Sequence, residues 1–350
     1  MLMKKISKTV LSCLAVVMLF NYCTSVRTPL KTYNDAGAPF DLEVLSGTRE
    51  VVLRQEKPWE EQTLAYYKVL KTGKHNWQMW YSSWDNRRND DYSGYLPYAY
   101  SANGKDWTKA VPGNKNNILF GSGFPKKDGI VEQDVFIDGH SPLKYKMLFT
   151  ARDPADGGKQ KTFYMESADG IKWTDRRVLW NKKFDSQFSV LVKDSLYHIY
   201  LRMWEVVNHI RYRVIGHAIA DRNWRVIKEP EVILRSPYPD FPHIYNNATS
   251  GINDSLQVFL PTFFNEKEDR VRVRVAYSIK GQAHLMDADI TDDLYHGEDV
   301  KWGCVNPGLI PAGKNRYWLY YYGVNKSHNR FMEKGHVAKY YRVLVAVKFR

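Results

Sequence analysis

The chain is poor in the features that reveal a function at sight. Cys13, Cys23 and Cys304 are its only cysteines, too few and too scattered for a disulfide framework. Stability therefore has to come from a packed core. There is no apolar run long enough to cross a bilayer and no sustained helical period. Also missing are a His and Cys cluster at metal-ligand spacing, a glycine loop of the nucleotide kind and a serine elbow for acyl transfer. These absences leave no metal or cofactor signal, although they leave open a structural Ca²⁺ or Na⁺ ion.

Acidic residues are the minority, 38 Asp and Glu against 51 Lys and Arg in 350 residues. Three of the cations, Lys4, Lys5 and Lys8, precede the short apolar run Val10 to Phe20, the pattern of an export signal. Residues 1–23 are read as a signal peptide, with Cys23 placed where a bacterial lipoprotein is cut and acylated. The expected location is the periplasm or outer membrane, with membrane contact only through such an anchor. Without those three lysines the chain still carries ten more basic than acidic residues, which favours acidic partners. The basic residues are scattered in pairs such as Arg87-Arg88 and Lys182-Lys183, which argues against nucleic acid. A uronate-bearing oligosaccharide or polysaccharide fits the charge, and so does a merely well-solvated surface.

What the chain has in abundance is short aromatic strands. Tyr145 to Thr150, Tyr197 to Arg202, Leu256 to Thr262 and Trp318 to Gly323 are aromatic and β-branched, bordered by Gly, Asp, Asn or Pro. A repeat accompanies them. SANGKDWTK from Ser101 recurs as SADGIKWTD from Ser167, and more loosely as AIADRNWRV and YSIKGQAHLM. The anchors Trp107, Trp173, Trp224 and His284 stand 66, 51 and 60 positions apart, a period that suits one four-stranded sheet per repeat. Asn103-Gly104 and Asp169-Gly170 supply the tight turns, and the following tryptophans are expected in the core. Four units start near Glu60, Asp134, Asp185 and Asp240, and a fifth runs from Trp302 to the end. The expected fold is all-β, a five-bladed β-propeller over residues 56–350, with residues 24–55 as an N-terminal arm or a closing strand.

The segments KPWE before MWYSSWD, DVFID before YKMLFTARD, FDSQ before YHIYLRMWE, and GLIPAG before WLYYYG resemble the five-bladed propeller glycosidases. These include arabinanases, fructosidases and neoagarooligosaccharide hydrolases. The resemblance covers most of the chain after residue 23 and implies an enzyme that cleaves glycosidic bonds in a plant or algal glycan. Such an enzyme needs two carboxyl groups flanking the scissile bond. Carboxylates at the starts of innermost strands converge on the axis, which names Glu60, Asp134, Asp185 and Asp240, with Glu132 beside the second and Glu205 on a neighbouring strand. The resemblance implies Glu60 as base or nucleophile, Asp134 as orienting group and Asp185 or Glu205 as acid. The sequence departs from the family pattern twice, with Glu60 in place of Asp and Asp185 in place of Glu.

Arg152 and Arg202 end second strands and are expected to hold a sugar carboxylate or to pair with a neighbouring acid. Trp59, Asp85, Gln187, Asp240, His243, Tyr245 and His328 complete the expected substrate-binding set, with Trp84 and Trp204 as further platforms. A glycoside phosphorylase and a non-catalytic glycan-binding lipoprotein remain alternatives to the hydrolase.

Overall fold

The computed structural model describes residues 31–87, 91–121, 128–184, 187–279, 281–330, 333 and 335–350. The export signal, Cys13, Cys23 and Asp185 lie outside the described residues. The described residues open with β1 (Thr32–Tyr33) and the long β2 (Phe40–Arg54). Three complete blades follow: β3 (Thr63–Gly73), β4 (Asn76–Trp84), β5 (Leu96–Ser101) and β6 (Ile118–Phe120); then β7 (Val131–Ile137), β8 (Tyr145–Asp153), β9 (Lys159–Ser167) and β10 (Arg177–Trp180); then β11 (Ser189–Lys193), β12 (Leu196–Val207), β13 (Ile210–Asp221) and β14 (Val226–Leu234). The fourth blade is β15 (His243–Gly251), β16 (Leu256–Asn265), β17 (Arg270–Ile279) and β18 (Gln282–Asp289). The last sheet has β19 (Trp302–Gly313), β20 (Arg316–Val324) and β21 (Ala338–Phe349), then β2 and β1 outside them.

Each sheet is antiparallel, four of them simple meanders, and β3, β7, β11, β15 and β19 pack side by side around one axis. The molecule is a five-bladed β-propeller. Its ring is joined by main-chain pairing, because β2 runs antiparallel to β21 from the pair Phe40–Phe349 to the pair Arg54–Lys339. The segment ahead of the first blade thus supplies an outer strand to the last one. That pairing covers what would otherwise be a long unpaired edge on β21.

Five large apolar clusters fill the spaces between consecutive blades. The repeated turn explains how neighbouring blades lock. Ser101 Oγ accepts from the amides of Asn103 and Gly104, and Asn103 Oδ1 accepts from those of Lys105 and Asp106. Ser167 and Asp169 repeat these bonds around Gly170. Gly104 and Gly170 sit at φ 71° and 79°, where a Cβ would strike the Trp77 and Trp80 rings. The freed approach is used across the blades: Tyr320 donates to Gly104 O at 2.7 Å, and Trp80 Nε1 donates to Gly170 O at 2.8 Å. In the third unit Trp224 stacks on Tyr164 of the preceding blade, centroids 4.4 Å apart.

Candidate functional site

At the end of the axis where the inner strands begin lies a cavity of about 300 Å³. Strand β3 contributes Thr63 to Tyr66, β7 contributes Glu132, β15 contributes Tyr245 and β19 contributes Trp302. The hairpin of β12 and β13 adds Arg202 and Arg213, while His328 and His336 come from the segment between β20 and β21. Among the described residues that line it, Glu132 is the only carboxylate.

Broken strand register puts these side chains in place. The pairing of β7 with β8 slips between Val131 and Asp134, and that of β3 with β4 slips between Ala65 and Lys68. At the slips Glu132 takes φ 60° and Tyr66 takes φ 43°, left-handed conformations that cost a non-glycine residue about 1–3 kcal/mol. A bulge of this kind re-aims a side chain. It turns Glu132 to the cavity and leaves Asp134, two residues on, in the packed layer beneath.

The cationic wall is tightly organised. Arg202 Nη1 donates to the Tyr245 carbonyl at 2.7 Å, and its guanidinium lies 4.4 Å from the Tyr245 ring centroid. Arg213 stands 5.8 Å from the same ring and 4.4 Å from that of Trp204. Tyr245 Oη is 2.8 Å from His328 Nε2, and burial holds the His328 imidazole below its ordinary pKa. His336 Nε2 lies 2.8 Å from Thr63 Oγ1.

Of the residues expected from sequence, Arg202, Tyr245 and His328 line the cavity, as do the neighbouring Glu132 and the platform Trp84. The other expected residues that the structure describes are placed elsewhere. Glu60 is fully buried: Oε1 accepts from Tyr81 at 2.6 Å, and Oε2 accepts from Lys109 at 2.7 Å and from the amides of Glu56 and Lys57. A carboxylate so enclosed anchors the loop ahead of β3 and does not reach the cavity. Asp134 is also sealed, with Oδ1 2.8 Å from Lys68 Nζ and Oδ2 accepting from Val190 N at 2.6 Å. Burial pushes its carboxyl above the usual range, against the pull of Lys68. It ties the inner strands of the first three blades together. Gln187 does the same through bonds to the carbonyls of Tyr67 and Gln133.

Glu205 makes a forked pair with Arg235, both contacts 2.7 Å, outside the cavity. Arg235 holds its carboxyl below the usual range. Trp59 donates to Asn117, Asp85 accepts from Tyr95 and Arg87, and Arg152 lies over Tyr92. Asp240 is exposed in the turn before β15. His243 sits behind Arg213, whose amide it accepts at 3.2 Å. Arg213 and His336 were not singled out from sequence. The turn Asn208-His209 carried the signal for Arg213, because a two-residue hairpin there pairs it with Trp204 and sets it beside Arg202.

Among the described residues, no group of three His, Cys, Asp or Glu side chains is placed to hold a metal ion. The chain matches no protein-family model and no curated protein. Solved structures do match. An N-acetylgalactosamine deacetylase from F. plautii, in complex with blood group B trisaccharide, superposes with a TM-score of 0.61 at 10% identity, over 84% of this chain and 92% of that one. They share a fold. An α-L-arabinofuranosidase from Podospora anserina, in complex with cellotriose, gives 0.55 at 10% identity, over 85% of this chain and 95% of its own. A family 117 glycoside hydrolase of the marine bacterium Zobellia galactanivorans gives 0.53 at 11% identity, over 86% and 89%. The five-bladed propeller expected from the sequence is thus the architecture these structures share.

Proposed function

We propose that this chain is an exported glycoside hydrolase that cleaves a glycosidic bond in an acidic plant or algal glycan, within the axial cavity. The observation that carries this reading is Glu132. A strained backbone presents it to a concave site walled by Tyr66, Trp84 and Trp302 and lined also by Arg202 and Arg213. Aromatic walls suit the apolar faces of sugar rings. Paired guanidinium groups suit a sugar carboxylate, which an Arg fork binds bidentately. The family 117 glycoside hydrolase and the cellotriose-bound α-L-arabinofuranosidase that share this fold support the same reading. Residues 1–23 are the proposed export signal, with Cys23 acylated.

The test is to incubate the protein with a panel of uronate-bearing and neutral oligosaccharides and to follow products by mass. Release of a reducing sugar in phosphate-free buffer, lost in Glu132→Gln, supports the hydrolase. Strict dependence on phosphate would make it a phosphorylase, and calorimetric binding without product would make it a glycan-binding protein.

A further inference from the structure

Tyr245 is where a hydroxyl, an imidazole and a guanidinium meet inside the cavity. Its ring position is fixed by edge-on packing against Trp302 and Phe264, centroids 4.8 and 5.5 Å away. Register between β15 and β16 slips between Ile244 and Asn246, so Tyr245 itself occupies a bulge, as Glu132 does on β7. Its hydroxyl lies 2.8 Å from His328 Nε2, within hydrogen-bond reach. Because burial keeps His328 below its ordinary pKa, the imidazole is neutral near pH 7, with Nε2 in reach of the Tyr245 proton. Arg202 lies against the ring and Arg213 behind it, so two guanidinium groups stand beside Tyr245.

Hydrolysis of a glycoside needs a second reactive group beside the acid. Among the described residues of the cavity wall, no second carboxylate accompanies Glu132. We infer that Tyr245 is the catalytic nucleophile, with His328 as its base and Glu132 as acid and then base. We further infer that the sugar attacked bears a carboxylate on its anomeric carbon, held by Arg202 and Arg213. The substrate class is the glycosides of 2-keto-3-deoxy acid sugars. This deepens the hydrolase reading and rests on it.

The electrostatic reason lies in the distances. A carboxylate bound at Arg202 sits close to Tyr245, because Arg202 is stacked on that ring. An anionic nucleophile would approach such a carbon against the field of its carboxylate. A phenol is neutral until its proton passes to His328, and sialidases likewise use tyrosine. In the first step Tyr245 Oη bonds to the anomeric carbon while its proton goes to His328 Nε2. The bond to the leaving oxygen breaks, and that oxygen takes the proton of Glu132. In the second step water bonds to the same carbon and gives a proton to Glu132. The bond to Tyr245 breaks as Oη recovers its proton from His328. The sum is hydrolysis with retained configuration.

The experiment compares 4-methylumbelliferyl ketosides of 2-keto-3-deoxy acid sugars with 4-methylumbelliferyl glucuronides as substrates of the full-length protein. Ketosides should turn over at least about a hundredfold faster, and Tyr245→Phe should lower kcat on them by about a hundredfold or more, with little change in KM. A 3-fluoro ketosyl fluoride should leave a covalent adduct whose peptide mass maps to Tyr245. That readout uses the wild-type protein and does not depend on a variant folding. Cleavage of glucuronides but not ketosides would overturn the inference and leave the hydrolase standing. An adduct on another residue, or a Tyr245→Phe enzyme that stays active while Asp185→Asn does not, would also overturn it. No cleavage of either probe, or of any glycan in the panel, would sink the hydrolase reading itself.

Discussion

Glu132 and Asp134 stand two residues apart on β7 and face different worlds: Glu132 lines the axial cavity, while Asp134 is sealed beneath it, 2.8 Å from Lys68. In a regular strand the two would share a face, since side chains alternate with period two. The slip in register between Val131 and Asp134, with Glu132 at φ 60°, separates them. The slip gives the cavity one carboxylate and leaves the other in the packed layer beneath it.

Glu132 should therefore trade stability for activity. Glu132→Gly relieves the left-handed strain and should leave the melting temperature unchanged or raised, the strain amounting to about 1–3 kcal/mol. Glu132→Gln should keep the fold, and both variants should lose about a hundredfold or more in kcat. A Glu132→Gly protein that melts early and remains active would contradict the assignment.

Lys68 and Asp134 should behave as a buried pair. Asp134→Asn leaves the Lys68 charge uncompensated and should cost about 3–5 kcal/mol in urea unfolding, whereas the double change Lys68→Met with Asp134→Leu should cost clearly less. Equal costs for the single and double variants would show that the ion pair is not the reason for the placement.

Glu60 is where structure and family pattern part. Its oxygens are taken up by Tyr81, Lys109 and two amides. Glu60→Gln should thus lower the melting temperature, while the folded protein keeps the proposed hydrolysis within about threefold in kcat. A large fall in kcat at unchanged stability would return Glu60 to the catalytic machinery.

Acid should weaken the protein through its histidines. Burial depresses the pKa values of His198, His217, His243 and His328, that of His217 to about 4. Each resists protonation when folded, so the unfolded chain binds more protons below the ordinary value of 6.5. The stability these groups contribute is complete above pH 6.5 and falls as pH drops through the folded values. Melting temperature should decline between about pH 6.5 and 4, and His217→Gln should flatten part of that slope. A flat profile in the wild-type protein would refute the burial argument.

The sequence by itself determined the architecture. Aromatic strands at hairpin spacing and the Ser-x-Asn/Asp-Gly turn followed by tryptophan are local signals, and they state strand, turn and repeat without help from the rest of the chain. The turn at Gly104 and its copy at Gly170 even encode how blades touch. The membership of the cavity was legible only in part: Arg202, Tyr245 and His328 could be named, yet so could Glu60, Asp85 and Glu205, which the folded chain uses elsewhere. An acid near the start of an inner strand reads alike whether it faces the axis or a lysine. Only the tertiary structure decided that Glu132 turns inward and Asp134 does not. That choice is made by a one-residue bulge whose position depends on neighbouring strands and on Lys68, far away in sequence. Such a slip reverses which face a side chain meets and leaves no mark in composition or period.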